Sequence, residues 1–322
     1  MTTTTDLHAC LPPALRAVTA TITPIAAGLS GAGVYRVDAG EHAYVLKVAA
    51  AESAPGAWTK GLHRQELAAN AGVAPRIVYV DRERRAVVSE LVPDRGFFGL
   101  YGHPQTRDAA VALMGRTVRR VHEIPLPPDD NGPGAPVVPV ELLARLWSTL
   151  DAAGFARPAF VTEAVTRELA TSAPPPERAP VLSHNDMNPT NLVYDGERLL
   201  LFDWDSSGRN DPYFDLGVLA MFLRMDEATS LGLLSAYDGE PVTALPASFV
   251  HYRRLAAVLV GVAFLHLACL AGHAGAQGDE SLATTLALGD FYAQLRQGAV
   301  DLRGGPGQFA YALTLIKHGT LL

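Results

Sequence analysis

The amino-acid sequence predicts an α+β protein with two lobes, a small antiparallel sheet followed by a larger and mostly helical lobe. Five short β-like runs lie within the first 90 residues, whereas apolar residues after residue 105 recur mainly at helical spacing. A chain of 322 residues is also long for a single hydrophobic core. We therefore expect one lobe over residues 1–92 and a second over residues 93–322.

The small lobe is predicted from β-like runs and one helix. The helix covers residues 58–71 and ends near Gly72, with Pro75 beyond it. A charged turn at residues 81–85 separates the last two runs. The runs, at residues 21–26, 34–37, 43–48, 76–80 and 86–90, predict a five-stranded antiparallel sheet.

The larger lobe is predicted from amphipathic or apolar stretches that are broken by Pro-rich loops. The breaks lie at residues 124–138 and 172–180, and both contain several prolines. The predicted helices cover residues 106–122, 140–153, 160–171, 216–223, 227–237, 247–271 and 282–297.

The segment of residues 184–205 carries the most specific functional pattern. Asp186 is followed by Asn191 five residues later, and Asp203 follows a short apolar run. Such an Asp can accept a proton from a hydroxyl, while Asn and Asp oxygens are ligands that Mg²⁺ prefers. An Asp-Gly pair at residues 195–196 predicts a β-hairpin, which would bring Asn191 and Asp203 to one end of the ladder. This layout is typical of phosphoryl transfer from a magnesium nucleotide.

The same segment identifies a family resemblance. His184-Asn-Asp-x-x-x-x-Asn191, followed by Phe202-Asp-Trp-Asp205, resembles the catalytic and metal segments of the aminoglycoside phosphotransferase and choline kinase superfamily, distant relatives of the protein kinases. The resemblance implies a bilobal protein-kinase-like fold with the nucleotide in the cleft. It also implies that Asp186 is the catalytic base, that Asn191 and Asp203 hold the metal, and that His184 braces the catalytic loop.

Further along, the run from Asp211 to Leu216 resembles the Asp-Pro-x-x-Asp-Leu segment of the same superfamily. In that segment the final Asp supports the catalytic loop. The resemblance therefore implies a structural role for Asp215.

The first lobe offers a phosphate cradle and a cation. A Gly-rich loop with Ser30 and Gly31 separates two β-like runs, and its backbone N–H groups could bind phosphates, although an ordinary turn is the alternative for this loop alone. Lys47 lies in an otherwise apolar run, where burial is costly without anionic partners. Glu66 on the helix is the expected carboxylate partner of Lys47, as in the resembling family; the alternative is a solvated surface charge.

The segment after the fifth β-like run is predicted to be the hinge between the lobes. Glu90 and Val92 would present main-chain groups to the adenine of ATP. Together with Ser30, Gly31, Lys47 and Glu66, they form the predicted ATP-binding set, and Mg²⁺ is the predicted second cofactor.

Composition excludes several classes of protein. The formal net charge is −7 and no basic stripe with interleaved aromatic residues occurs, which argues against nucleic-acid binding. The only two cysteines, Cys10 and Cys269, support neither a zinc site nor a disulfide framework. The first residues do not resemble a secretory signal, so we expect a cytoplasmic protein. The apolar stretch 255–271 is expected to be a buried helix and not a membrane span.

The predicted phosphoryl acceptor is a small-molecule hydroxyl, which a cationic molecule could carry. The His-Asn-Asp motif looks more like the choline-kinase branch, so a choline-, ethanolamine- or thiamine-like amino alcohol is favoured, with an aminoglycoside or other antibiotic as the alternative. A nucleotide-binding pseudokinase is a further alternative, and the pattern does not separate ATP from GTP. A cage for an ammonium group would draw on aromatic residues that could equally be core residues, namely Trp204, Tyr213, Phe214, Phe222, Tyr237 and Tyr252.

Overall fold

The computed structural model describes residues 6–25, 32–50, 54–128 and 138–322. The chain divides into two compact units. The first contains the described residues up to 128 together with Val181–Arg209 and Gly232–Pro241, and the second contains residues 138–180, Asn210–Leu231 and Val242–Leu322. This division differs from the predicted boundary at residue 92, because residues that follow the sheet in sequence pack into the same unit as the sheet.

The α+β class and the five-stranded antiparallel sheet of the first unit are confirmed. The strands run in the order β1-β2-β3-β5-β4. They are β1 (Ala20–Pro24), β2 (Gly33–Ala39), β3 (His42–Val48), β4 (Ile77–Asp81) and β5 (Ala86–Glu90).

The two faces of the sheet have different neighbours. Leu46 and Val48 on β3 are buried in a core that also contains Cys10 and Leu11 of the N-terminal segment. Lys47 alternates with them and therefore lies on the opposite face, opposite Val34 on β2 and Val87 on β5. The N-terminal segment includes the short helix α1 (Pro13–Arg16), so one sheet face is covered by chain that precedes the first strand.

Helix α2 (Pro55–Asn70) follows β3, close to the predicted range. It begins with Pro55, whose fixed φ suits the first turn of a helix. After α2, the backbone carbonyl of Val73 accepts a hydrogen bond of 2.8 Å from Leu201 N. The loop after α2 is thereby joined to the segment that carries Asp186 and Asp203.

The remaining helices follow the predicted order, with two additions. Helices α3 and α11 are not among the predicted helices, and α11 opens with Gly305, Pro306 and Gly307. A Cβ atom at Gly307 would lie 2.1 Å from the carbonyl oxygen of Asp301, so only glycine fits there. The helices are α3 (Phe97–Gly102), α4 (Arg107–His122), α5 (Pro139–Ala152), α6 (Ala159–Ala170), α7 (Pro212–Phe222), α8 (Glu227–Asp238), α9 (Ala247–Leu270), α10 (Leu288–Arg296) and α11 (Gly305–Thr320).

Helix α10 begins six residues later than the predicted start at residue 282. The Ser281 Oγ accepts a hydrogen bond from Thr284 N at 3.2 Å, and Thr285 Oγ1 donates to the Ser281 carbonyl at 2.7 Å. Hydroxyl side chains that bond to nearby backbone groups compete with helix formation, which explains the late start.

Helix α9 is long and apolar enough to cross a membrane by length and composition alone. Within the second unit, however, 56% of its most apolar window is buried inside the protein. Gly261 allows α11 to approach, because a Cβ atom there would lie 2.5 Å from Ile316. The burial supports the predicted role of α9 as a core helix.

Candidate active site

A short β-hairpin brings two of the predicted ligand residues together. It pairs β6 (Leu192–Tyr194) with β7 (Leu199–Leu201), and the register continues past the strands, where Phe202 N donates to the Asn191 carbonyl at 2.9 Å. Asp203 follows Phe202 directly, so the predicted convergence of Asn191 and Asp203 at one end of the ladder is confirmed. The loop has four residues, since Tyr194 pairs with Leu199.

The side chain of Asp195 stabilises this loop. Its Oδ1 accepts hydrogen bonds from Glu197 N at 2.9 Å and from Arg198 N at 2.7 Å. Gly196, with φ of +112°, adopts a conformation that other residues rarely reach. The Asp-Gly pair therefore has the turn-forming role that the sequence predicts.

Asp186 lies beside Asn191. The Asn191 Nδ2 donates to Asp186 Oδ2 at 2.9 Å and to the Asp186 carbonyl at 3.0 Å. Burial raises the pKa of the Asp186 carboxyl, and the negative charge of Asp203 adds to the rise, against the lowering effects of His184 and of the Asn191 hydrogen bond. A carboxylate with increased proton affinity is suited to act as a general base.

His184 is fully buried behind the catalytic loop. Its Nε2 donates to the Phe202 carbonyl at 2.8 Å, and its ring packs edge-on against Trp204 with centroids 4.8 Å apart. The Trp204 indole N–H in turn donates to the Leu201 carbonyl at 3.0 Å. These contacts link the loop to the end of the hairpin and agree with the bracing role that the resemblance implies.

Two residues of the site have left-handed backbone conformations. Asn185 has φ of +63° and Asp203 has φ of +61°. Asn and Asp tolerate this region better than other non-glycine residues, and such strain is concentrated at functional sites. The Asn185 Nδ2 donates to the Ser206 carbonyl at 3.0 Å, which connects the catalytic loop to the residues after Asp203.

Lys47 contacts the catalytic segment directly. Its Nζ lies 2.8 Å from Asp203 Oδ1 and 2.8 Å from Asp205 Oδ2. Burial by itself would lower the pKa of Lys47, but the charges of Asp205 and Asp203 outweigh it and hold the pKa above the ordinary value. Burial likewise favours a raised pKa for Asp203, yet Lys47 keeps that pKa low. Both groups are therefore ionised at neutral pH.

The expected pairing of Lys47 with Glu66 is wrong. The Glu66 Oε1 lies 3.4 Å from Arg82, and its Oε2 lies 3.9 Å from His63 Nδ1. A cavity of about 140 Å³ beside Lys47 is lined on the α2 side by residues that include Leu62 and Gln65. Because successive helical residues are rotated by about 100°, Glu66 directs its carboxylate away from the face that carries Gln65.

Asp205 was missed as a partner of Lys47. Asp205 is the last residue of the Phe202-Asp-Trp-Asp205 motif, for which the sequence predicts a role for Asp203 alone. The signal was the presence of a second carboxylate two residues after Asp203, separated from it by the fully buried Trp204. The turn Trp204–Ser206 directs both carboxylates to one ammonium group.

Ser30 and Gly31 lie outside the described residues, so their predicted role in phosphate binding stays a prediction. Glu90 and Val92 line a cavity of about 920 Å³ in the first unit. The Glu90 carboxylate is held by Arg76, whose backbone N–H donates to it at 3.1 Å. The predicted role of Glu90 and Val92 in binding the adenine stays a prediction.

The residues predicted to hold Mg²⁺ fit that ion chemically. Asn191 donates through its Nδ2, so its Oδ1 is the atom available as a ligand, and Asp203 supplies a carboxylate. Within the described parts of the chain there is no group of three or more His, Cys, Asp or Glu residues that could hold a metal. Two oxygen donors supplemented by phosphates are a normal set for Mg²⁺, which usually keeps several non-protein ligands.

The aromatic residues considered for an ammonium cage are mostly core residues. Five of them are buried, namely Trp204, Tyr213, Phe214, Phe222 and Tyr237, and Tyr252 is half-buried against Phe214.

Asp215 is fully buried, within α7. Asp226, one of the acidic residues near this region, accepts a hydrogen bond from Thr229 N at 2.8 Å at the start of α8.

Comparison with known proteins places the chain in a family. The sequence profile of the Phosphotransferase enzyme family, APH, matches residues 21–257. The chain belongs to this family. The match covers most of the chain and contains the predicted catalytic segment, the predicted hinge and the strand of Lys47.

Individual relatives agree with this assignment. The chain is 35% identical to the protein LicA of Haemophilus influenzae over 54 residues, which are 17% of this chain and 20% of LicA. It is similar to the crystal structure of a choline/ethanolamine kinase family protein from Mesorhizobium loti, with a TM-score of 0.62, 20% identity, and coverage of 96% and 94% of the two chains. A spectinomycin phosphotransferase in complex with ADP and spectinomycin has a TM-score of 0.55 at 14% identity, with coverage of 92% and 94%. At these identities the two structural matches establish the fold, which is that of the family.

Proposed function

We propose that this phosphotransferase moves the γ-phosphoryl group of ATP to the hydroxyl of a small amino alcohol, of the choline, ethanolamine or thiamine kind, in the cytoplasm. The phosphoryl-transfer part rests on two contacts, Asn191 Nδ2 to Asp186 Oδ2 at 2.9 Å and Lys47 Nζ to Asp203 Oδ1 at 2.8 Å. The hairpin links the two pairs, because Phe202 N, next to Asp203, donates to the Asn191 carbonyl. A scaffold without transfer activity has no need of all four groups, which argues against a pseudokinase.

Asp186 is the proposed base. It accepts the proton of the acceptor hydroxyl while the hydroxyl oxygen forms a bond to the γ-phosphorus and the bond from that phosphorus to the β-phosphate oxygen breaks, releasing ADP. Asn191 holds the Asp186 carboxylate through a hydrogen bond of 2.9 Å and so restricts its orientation. Positioning of this kind supplies much of the rate enhancement in phosphoryl transfer.

Asp203 and Asn191 are the proposed Mg²⁺ ligands, and Lys47 the proposed phosphate cation. Bound Mg²⁺ would neutralise charge on the phosphate oxygens. Lys47 carries its positive charge at neutral pH, as the direction of its pKa shift requires. The hinge at Glu90 and Val92 would receive the adenine, next to the cavity of about 920 Å³.

The choice of an amino alcohol as acceptor rests on resemblance and charge. The His-Asn-Asp motif resembles the choline-kinase branch, and the Mesorhizobium loti protein of similar fold is described as a choline/ethanolamine kinase family protein. A formal net charge of −7 is compatible with a cationic acceptor. The buried aromatic residues after residue 200 do not add to this argument, because they pack in the core.

The test is a nucleotide-consumption screen of the purified protein against amino alcohols, vitamins and aminoglycosides. We expect choline or ethanolamine to stimulate conversion of ATP to ADP with formation of the phosphorylated alcohol, measured by mass spectrometry. The neutral analogue 3,3-dimethylbutanol, which matches choline in shape, is the control and should be a poor substrate.

Other outcomes of the screen discriminate among the alternatives. Phosphorylation of kanamycin-like compounds alone would refute the amino-alcohol proposal and establish the antibiotic alternative. Binding of ATP without consumption in any arm, for both wild type and Asp186→Asn, would instead favour a pseudokinase.

A further inference from the structure

A lysine that binds phosphates needs a fixed anion, because its flexible side chain must be held in one position. We propose that Asp205, and not a carboxylate on helix α2, holds Lys47 in position for the nucleotide. This inference rests on the proposed function. It assigns a positioning role to Asp205, for which the sequence predicts no role.

The contacts of Lys47 support this assignment. Its Nζ donates to Asp205 Oδ2 at 2.8 Å, while Glu66 is engaged by Arg82 at 3.4 Å. The α2 face next to Lys47 and Asp205 carries Leu62 and the uncharged Gln65. Helix α2 therefore offers Lys47 no carboxylate among its residues at this cavity.

Helix α2 instead supports the turn that presents Asp205. Arg64, which is 5% exposed, donates to the Ser207 carbonyl. Gly61 packs against the same turn, because a Cβ atom there would lie 3.5 Å from Asp205 Cα and 3.6 Å from the Trp204 carbonyl oxygen. The helix thus acts on Lys47 through the backbone of residues 204–207.

This arrangement separates two tasks. Lys47 touches both Asp203 and Asp205, but Asp203 is also the proposed Mg²⁺ ligand, so the metal and the ammonium group would draw on the same carboxylate. Asp205 gives Lys47 a partner that persists when Asp203 turns to the metal. Without Asp205, Lys47 would compete with the metal for Asp203.

The first experiment needs no nucleotide. Denaturant unfolding is measured for the wild type, Lys47→Met, Asp205→Asn and the double variant, and for the corresponding set with Glu66→Gln. We expect the unfolding equilibrium constants to show a coupling of about twofold to fivefold between Lys47 and Asp205, the range for a partly exposed ion pair. No coupling is expected between Lys47 and Glu66. Absence of coupling to Asp205, or an equal coupling to Glu66, would overturn the assignment.

The second experiment measures Mg-ADP affinity by titration calorimetry in the same variants. Asp205→Asn should weaken binding by at least about fivefold in the wild-type background and by less than about twofold in the Lys47→Met background, because a residue that acts through Lys47 loses its effect when Lys47 is absent. Glu66→Gln should bind Mg-ADP within about twofold of wild type, and Asp205→Glu should restore part of the affinity.

The outcomes separate the two proposals. Equal weakening by Asp205→Asn in both backgrounds would show that Asp205 acts on the ligand or metal directly, which contradicts a positioning role. Failure of the wild type to bind Mg-ADP would overturn both the proposed function and the nucleotide role of Asp205, whereas the unfolding experiment would still decide which carboxylate holds Lys47.

Discussion

The catalytic segment and helix α2 both approach Lys47, yet the sequence specified the first much better than the second. In the catalytic segment, Asp186 and Asn191 are joined at 2.9 Å, and Asp203 lies at the end of the predicted hairpin. On α2, the predicted partner Glu66 instead lies 3.4 Å from Arg82. Both elements were located correctly along the chain, but only the catalytic segment brought its predicted residues together, whereas α2 does not present Glu66 to Lys47.

The difference shows how far local geometry carries a prediction. A hairpin with a short loop has a register set by its turn, so residues a dozen positions apart are placed by local chemistry. A helix is equally regular, but which face it turns towards a sheet depends on packing against distant residues, here Asp205 and Ser207. An error of one residue rotates the selected side chain by about 100°.

The largest effect is expected for Asp186→Asn, which tests the centre of the well-specified region. Turnover should fall at least about a hundredfold, because the base is lost while the shape is kept. Affinity for Mg-ADP should change little. Steady-state kinetics and calorimetry provide the two measurements, and turnover equal to that of the wild type would remove Asp186 from the mechanism.

The same variant should alter the pH dependence of stability. The pKa of Asp186 is raised by burial, so the folded state binds this proton more tightly than the unfolded state. The ionised carboxyl therefore lowers the free energy of unfolding at neutral pH. This destabilisation disappears as the pH falls below the unfolded-state pKa, where the carboxyl is protonated in both states. Asp186→Asn should remove this contribution, and chemical denaturation of both proteins between neutral and acidic pH would detect it. On acidification the variant should therefore gain less stability, or lose more, than the wild type, and the opposite difference would contradict the direction of the shift.

The second effect in size concerns Asp203→Ala, which removes the proposed anionic ligand of Mg²⁺. The enhancement of ATP affinity by Mg²⁺ should be lost, a weakening of at least about tenfold in the presence of the metal. Calorimetric titrations with and without Mg²⁺ measure it. Equal ATP affinity of the wild type under both conditions would refute the metal assignment.

A smaller effect is expected for Trp204→Phe, which tests whether this residue is a core brace or part of an acceptor site. The indole is 1% exposed and donates to the Leu201 carbonyl at 3.0 Å. Its replacement should lower the free energy of unfolding by about 1–2 kcal/mol through the lost hydrogen bond and the reduced volume. Preference among acceptors should stay the same, and a changed preference for choline over 3,3-dimethylbutanol would instead favour the cage.

The smallest effects compare two glycines, one in each region. Gly196→Ala in the hairpin should destabilise the fold by about 1 kcal/mol, because alanine is strained at φ of +112°. Gly61→Ala in α2 should stabilise it by about 0.5–1 kcal/mol through helix propensity, since the added Cβ would meet Asp205 Cα at an ordinary 3.5 Å. Thermal unfolding of both variants measures the difference, and the same sign for both would contradict this comparison.

Much of the fold was predictable because its signals are local. Alternating apolar runs identified all five strands of the main sheet, and the Asp-Gly pair identified the catalytic hairpin. No helix was predicted over α11, whose first residues Gly305-Pro306-Gly307 have low helix propensity, and α10 begins later than predicted because Ser281 bonds to Thr284 and Thr285. In both cases the apolar pattern did not show where the helix begins, because that point depends on bonds and close contacts between residues near the helix start.

The sequence by itself determined the fold class, the family and the identity of the base and metal-ligand candidates, because Asp186, Asn191 and Asp203 are positioned by a loop and a hairpin of their own segment. Only the tertiary structure decided which anion meets Lys47. Residues 47 and 205 are 158 positions apart, and their contact of 2.8 Å depends on α2 holding the turn through Arg64 and Gly61. Contacts of that range follow from how separate elements pack, which no local pattern encodes.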